Sequence, residues 1–260
     1  MLAETTLAGL PPWVGLLVLA AAAMLAGVVN SMAGGGSLLT LPALMALGLP
    51  PSVANGTNRV GVLVQGLSAA LTFHRKGVRP YAAFGRLLLP MVLGAIAGTA
   101  LATRLSDEWL RVIFGIMLAG WAVLLVFRPS RFLRPEGPAK PAGPGALALA
   151  VLVGAYGGFL QAGVGFPTLA LLVLVLGHEA VEANAIKTVL ILAYTTISLG
   201  MFAWAGQVAW REGAALAAGG LIGGWLGARL QLRAGAGLVR WVVVVAVAAS
   251  GIAMLAGALG

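Results

Sequence analysis
No cysteine occurs among the 260 residues, which removes disulfides, thiolate nucleophiles and thiolate metal sites. Charge is scarce as well: 9% of the residues are charged, with seven acidic against sixteen basic. A soluble globule normally carries about 25% charged residues. Since 60% of this chain is hydrophobic, its polar side chains are too few to cover a water-facing surface, and it reads as an integral membrane protein. Histidine occurs only at His74 and His178, neither with a second histidine at ligand spacing, so no metal site is expected. Both fall in expected loops, away from Ser37, Ser68 and Ser198, so a serine nucleophile has no base within reach and an intramembrane enzyme is disfavoured. Gly34-Gly35-Gly36-Ser37 lacks the following lysine of a phosphate-binding loop. No cofactor is expected.

What the chain does have is long apolar runs. A bilayer-spanning helix needs about 20 mainly apolar residues, and runs that qualify wholly or nearly so lie at Trp13 to Val29, Gly56 to Phe73, Tyr81 to Thr103, Trp109 to Phe127, Gly145 to Leu160, Ala185 to Trp204, Gly213 to Ala228 and Leu238 to Leu259. Two shorter runs, Leu38 to Leu49 and Pro167 to Leu176, each follow a glycine break. The start Met1-Leu2-Ala3-Glu4 has no basic residue before the first run, so that run is expected to stay as a helix and not be cleaved as a signal peptide.

The breaks repeat at an offset of 129 positions. Ala33-Gly34-Gly35-Gly36, Leu47-Gly48 and Ala54-Asn55 match Ala162-Gly163-Val164-Gly165, Leu176-Gly177 and Ala183-Asn184. Asparagine occurs only at positions 30, 55, 58 and 184, yet two of these fall in register. The expected fold is therefore an all-α polytopic membrane protein of two inverted five-segment repeats with short or broken helices, about eight to ten transmembrane segments in all. Residues 1–127 form the first repeat, 128–145 a Pro/Arg-rich cytoplasmic linker and 146–260 the second. Gly94-x-x-x-Gly98 and Gly223-x-x-x-Gly227 read as close helix-packing seams.

The net charge of +9 is distributed by face. With alternating crossings, one face receives Arg75, Lys76, Arg79, Arg128, Arg131, Arg134, Lys140, Arg229 and Arg233. The other receives Arg104, Arg111 and Arg211, partly balanced by Asp107, Glu108 and Glu212. This is the positive-inside pattern, and it puts the richer face in the cytoplasm and both termini outside. These cations set topology, and nucleic acid is not an expected partner.

Several stretches resemble a known family. The glycine break followed by Leu38-Leu39-Thr40-Leu41-Pro42, then Leu47-Gly48-Leu49-Pro50-Pro51, Ala54-Asn55-Gly56-Thr57-Asn58 and Phe73-His74-Arg75-Lys76-Gly77, is similar to the TauE/SafE family of sulfite exporters. In the second half Gly157-Gly158-Phe159 through Gly165 and Ala183-Asn184-Ala185-Ile186-Lys187-Thr188 fit its degenerate second copy. The resemblance covers residues 13 to 258 and implies an inner-membrane carrier of sulfur oxyanions or organosulfonates that works with the proton gradient.

The residues point to an anion independently. Ionisable groups inside spanning segments are costly and usually mark a pathway. Arg59 and Lys187 sit just inside matching helices of the two copies, each preceded by an in-register asparagine, Asn55 or Asn184. Thr57, Asn58, Thr188, Gln65, Gln161, Tyr194 and Asn30 supply polar groups around them. Helix starts near Ser37, Phe166, Gly56 and Ala185, with Gly34, Gly36, Gly163 and Gly165 at the breaks, offer free backbone N–H groups. Arg86 is a weaker candidate. Alternative roles are snorkelling for Arg59 and Lys187, helix N-capping for Asn55 and Asn184, and kinking for the glycines. The expected partners are a small-molecule anion, protons and the lipid bilayer, with self-association left open. A passive anion channel would use the same groups. Glu182, near a mouth, is the candidate proton carrier of the second half, unless the proton travels on the substrate.

Overall fold
The computed structural model describes residues 11–32, 34–78, 81–127 and 139–233, and within these every regular element is helical. The chain is an all-helical polytopic membrane protein. In order, α1 is Pro12–Met32, α2 Ser37–Ala46, α3 Pro51–Arg75, α4 Tyr81–Ala102, α5 Asp107–Phe127, α6 Pro144–Phe159, α7 Gly165–Ala170 and α8 Ala180–Trp204. A ninth helix, α9, covers 210–233. The expected run Leu238 to Leu259 and the heart of the linker, 128–138, lie outside the described residues.

Among the described residues Pro12–Met32, Phe84–Ala102 and Ala180–Trp204 are long and apolar enough to cross a membrane, and Ser37–Ala46, Pro144–Phe159 and Gly165–Val175 are shorter apolar helices. Helix α3 is long enough at 25 residues but polar, with Ser52, Asn55, Thr57, Asn58, Arg59, Gln65, Ser68 and Thr72 all buried. A lipid-facing helix could not carry that load. Its neighbours shield it.

Two helix starts differ from the expectation. The apolar runs begin at Gly56 and Ala185, but α3 begins at Pro51 and α8 at Ala180. Pro51 stands at the first helical position, where its missing N–H costs nothing. Asn55 and Asn184 therefore lie inside their helices and cannot be N-caps, and Gly56 and Ala185 present no free helix N-terminus.

The 129-residue offset recurs in backbone geometry. Positive φ occurs at Gly34 (95°), Gly48 (88°) and Gly77 (85°), and again at Gly163 (75°), Gly177 (76°) and Gly206 (70°). Helices α3 and α8 have matching bounds under this offset. They run antiparallel, since Gly56 abuts Phe202 and the Gln207 carbonyl while Gly66 abuts Leu192. The elements after the two glycine breaks differ: α2 is α-helical through Pro42, whereas α7 passes into a π-helical turn at Leu171–Val175.

Small residues bring the halves together. Gly94 and Gly98 of α4 sit against the Val151 and Ala155 carbonyls of α6, and Gly154 and Gly158 of α6 answer against Met91 and Ala95. Gly219, Gly223 and Gly227 of α9 pack in the same way on Ala20, Met24 and Val28 of α1. Without Cβ atoms the backbones approach closely, which is how helices associate where lipid supplies no hydrophobic drive. In each seam the fourth helix of one half lies on the first helix of the other.

Candidate functional site
The two glycine breaks touch. Gly165 N–H donates to the Gly34 carbonyl at 3.2 Å, and a methyl on Gly34 would lie 2.3 Å from the Gly165 Cα. Gly36 abuts the Ala26 carbonyl, and Gly163 lies against the Trp121 ring. These glycines let backbone meet backbone. Beside them the first helices of both halves stop, leaving last-turn carbonyls with no intrahelical partner.

Buried side chains from the third helices fill those vacancies. Arg59 of α3 donates from Nη1 to the Gly157 carbonyl (3.2 Å) and Gln161 Oε1 (2.7 Å), and from Nη2 to the Gly158 carbonyl (2.5 Å). Its guanidinium also lies 4.7 Å from the centre of the Phe202 ring. Asn55 Nδ2 donates to the Phe159 carbonyl at 2.7 Å. All these carbonyls belong to the end of α6. In the reverse sense, Lys187 Nζ of α8 donates to the Asn30 carbonyl (2.8 Å) and Asn184 Oδ1 (2.6 Å), and Asn184 Nδ2 donates to the Met32 carbonyl (3.1 Å), at the end of α1. A cation near a helix C-terminus is favoured by the backbone dipoles, and hydrogen bonds to charged groups are worth about 1.5–3 kcal/mol.

Arg59 is 0% and Lys187 1% exposed, so neither snorkels to an interface in this conformation. Among the described residues no carboxylate pairs with either; the ion pair there is His178 Nδ1 to Glu182 at 3.2 Å, at the start of α8. Arg86 is exposed near the start of α4, outside the buried cluster. His74 ends α3 within its last turn and not in the loop beyond it.

The remaining candidates fall into three places. Gln161 joins the Arg59 group, holding Thr195 Oγ1 with its amide at 3.1 Å, and the Tyr194 hydroxyl, which has no partner among the described residues, packs beside Gly157. Thr188 stands with Lys187 and returns its hydroxyl hydrogen to the Asn184 carbonyl at 2.7 Å. Asn58 forms a separate neutral triad with Ser37 (3.0 Å) and Thr40 (2.5 Å). Thr57 is set apart from all of these, its oxygen accepting the Ala209 N–H at 2.9 Å just ahead of α9. Sequence reasoning missed Ser31, Thr40, Thr195 and Phe202; nothing marks them in a one-dimensional pattern, because each acquires its neighbours through packing between helices.

Two small cavities adjoin these groups. One is lined by Asn30, Ser31, Val62, Gln65, Lys187 and Thr188, with Gly66, Ala69 and Ile191 completing its wall. The other is lined by Ser37, Thr40, Asn58, Val62 and Gln65, closed by Ala23, Gly61, Leu216 and Gly220. Each leaves about 10 Å³ for a guest, room for about one water molecule. Gln65 and Val62 line both.

Residues 19–254 match the family model described as sulfite exporter TauE/SafE. The chain belongs to the TauE/SafE family. Similar proteins include a probable membrane transporter protein of Haemophilus influenzae, 28% identical over 88% of this chain and 90% of that one. The probable membrane transporter protein YfcA of Escherichia coli K12 is 31% identical over 86% of this chain and 83% of its own, and the probable membrane transporter protein ORF9 of a Sinorhizobium species is 28% identical over 90% of each. No solved structure gives a significant match. TauE/SafE membership spans both halves, so the cross-capped helix ends lie wholly within the family domain.

Proposed function
We propose that the protein is a secondary transporter of a small sulfur-containing anion, namely sulfite, sulfoacetate or a related organosulfonate, coupled to protons and resident in the inner membrane. The observation that carries this reading is the burial of Arg59 and Lys187 with no carboxylate beside them among the described residues. A helix C-terminus offsets about half a positive charge. Two cations on two such ends leave a surplus of about one charge, which an anion in the site offsets. The candidate set is Arg59, Lys187, Asn55, Asn184, Thr57, Asn58, Thr188, Gln65, Gln161 and Tyr194, with Gly34, Gly36, Gly163 and Gly165 shaping the breaks.

The transport mode follows from the repeat. Equal spacing of the positive-φ glycines and the antiparallel course of α3 and α8 support two inverted copies, the arrangement in which one half rocks against the other around a fixed site. The two cavities each have room for about a single water, so passage of an anion through them needs such a motion. Exposed Trp109, Trp204 and Trp210 at the ends of α5, α8 and α9 fit an interfacial girdle. Gln207 Nε2 donates to the Thr103 carbonyl at 3.2 Å, which gathers those ends on one face. That face is the one poor in net positive charge, and we place it outside, with both termini.

Uptake of labelled sulfite, thiosulfate, sulfoacetate and taurine into proteoliposomes under an imposed proton gradient tests the reading. Accumulation of one of the sulfur anions that a protonophore abolishes is the expected result. Gradient-independent equilibration with single-channel currents would make the protein an anion channel, and no movement of any of them would remove the assignment.

A further inference from the structure
The two buried cations occupy matching helices but have different surroundings. All the guanidinium contacts of Arg59 go to fixed groups: the Gly157 and Gly158 carbonyls, the Gln161 side chain and the face of Phe202. The Gly158 carbonyl is held a second time by the Thr99 hydroxyl at 3.0 Å, which is itself paired with Ser198 at 2.8 Å. Arg59 lines neither of the two cavities. Its Nε is buried without a partner among the described residues, so what sets Arg59 apart from Lys187 is its place, away from both cavities.

Lys187 is different. Its ammonium has three N–H donors, of which two go to Asn30 and Asn184, and the side chain lines a cavity. Two further amides line the same cavity. Asn30 is 8% and Gln65 6% exposed, and neither side chain has a hydrogen-bond partner among the described residues. Their amide groups are not sealed off from solvent-sized space, and they are free to bind a water or a ligand in that cavity. An ammonium and two amide NH₂ groups around one space form a donor set for an oxyanion. Gln65 also lines the second cavity, whose polar groups Ser37, Thr40 and Asn58 are neutral and bonded to one another. Movement of the Gln65 side chain would join the two spaces into one chamber, charged at one end and neutral at the other.

We propose that the two cations divide the work: Lys187, with the side-chain amides of Asn30 and Gln65, contacts the transported oxyanion, while Arg59 is a positioning residue that completes the end of α6. This rests on the transport reading above. It adds Asn30 to the contact set and removes Arg59 from it.

The test is the initial rate of ³⁵S-sulfite uptake by the reconstituted full-length protein, read as separate KM and Vmax. Lys187→Gln should raise KM about tenfold or more, the loss expected for a charged hydrogen bond, and Gln65→Leu and Asn30→Leu should each raise it several-fold with Vmax largely kept. Arg59→Gln should lower Vmax with KM within about twofold of wild type, and Arg59→Lys should restore part of that Vmax. A KM raised equally by Arg59→Gln and Lys187→Gln would overturn the division, as would an unchanged KM in both Gln65→Leu and Asn30→Leu. If Lys187→Gln fails to insert, the two leucine variants, which change no formal charge, decide alone. Absence of uptake by the wild-type protein for sulfite, thiosulfate, sulfoacetate and taurine alike would instead sink the transport reading, and this proposal with it.

Discussion
Asn55 and Asn184, 129 positions apart, each bind the carbonyl end of the other half's first helix: Asn55 Nδ2 lies 2.7 Å from the Phe159 oxygen and Asn184 Nδ2 3.1 Å from the Met32 oxygen. A helix that stops inside a membrane leaves its last carbonyls without water. Here the missing donors come across the interface between the halves, and each asparagine is accompanied by a cation a turn further on. The sequence register of the two asparagines is thus matched by a register of hydrogen bonds.

The asparagines are not equal in consequence. Asn184→Ala removes the bond to Met32 and also takes the Oδ1 acceptor from Lys187, whereas the Oδ1 of Asn55 has no partner among the described residues. Asn55→Ala should destabilise by about 1–2 kcal/mol and Asn184→Ala by about 2–4 kcal/mol, since a hydrogen bond to a buried charge is the stronger. Thermal unfolding in detergent measures both. Equal shifts in midpoint would show that the Lys187 contact adds nothing.

The meeting of Gly34 and Gly165 leaves no space for a side chain. Gly34→Ala places a methyl 2.3 Å from the Gly165 Cα and forces a residue other than glycine to φ near +95°. This variant, and Gly165→Ala with it, should lose most of its folded yield. Gly200 in α8 has open space where a methyl would go, so Gly200→Ala should be neutral or stabilise by up to about 1 kcal/mol. Size-exclusion profiles of fluorescently tagged variants separate these outcomes, and a monodisperse Gly34→Ala protein would contradict the geometry.

Natural absence of cysteine makes topology accessible. Lys76→Cys, just past α3, and Ala205→Cys, just past α8, are both exposed positions at opposite poles of antiparallel helices. In intact cells a membrane-impermeant maleimide should label Ala205→Cys and spare Lys76→Cys, with both labelled after permeabilisation. The reverse pattern would invert the assignment of faces.

Much of the fold was legible in the chain because apolar runs and glycines act locally. The breaks at Gly34 and Gly163 announce themselves, and six of the seven positive-φ positions among the described residues are glycines, Gln161 being the exception. The starts of α3 and α8 were less legible, since Pro51 and Ala180 lie ahead of the apolar runs and polar Ser52 and Glu182 disguise the first turns. The π-helical turn at Leu171–Val175 left no signature in five ordinary aliphatic residues. Within the candidate site, Arg59 and Lys187 were conspicuous as charges in apolar surroundings. Their hydrogen-bond partners were not, because Gly157 and Asn30 contribute backbone carbonyls, and any residue can do that. Thr57 illustrates the opposite failure: a polar side chain beside Asn58 whose partner, Ala209, lies 152 residues away in a different part of the molecule.

Cross-capping also limits how such a protein can be divided. If the chain is two inverted copies, a lone copy would expose the end of its first helix to hydrocarbon and hold an arginine or a lysine with nothing to bind. Stability would return only when a second unit arrived in the opposite orientation and lent its third helix. On the two-copy reading each unit needs the other to fold, and a single copy would persist only as an antiparallel dimer. In one chain both units are always at hand, and the third helix of each can carry a different cation, as α3 does with Arg59 and α8 with Lys187.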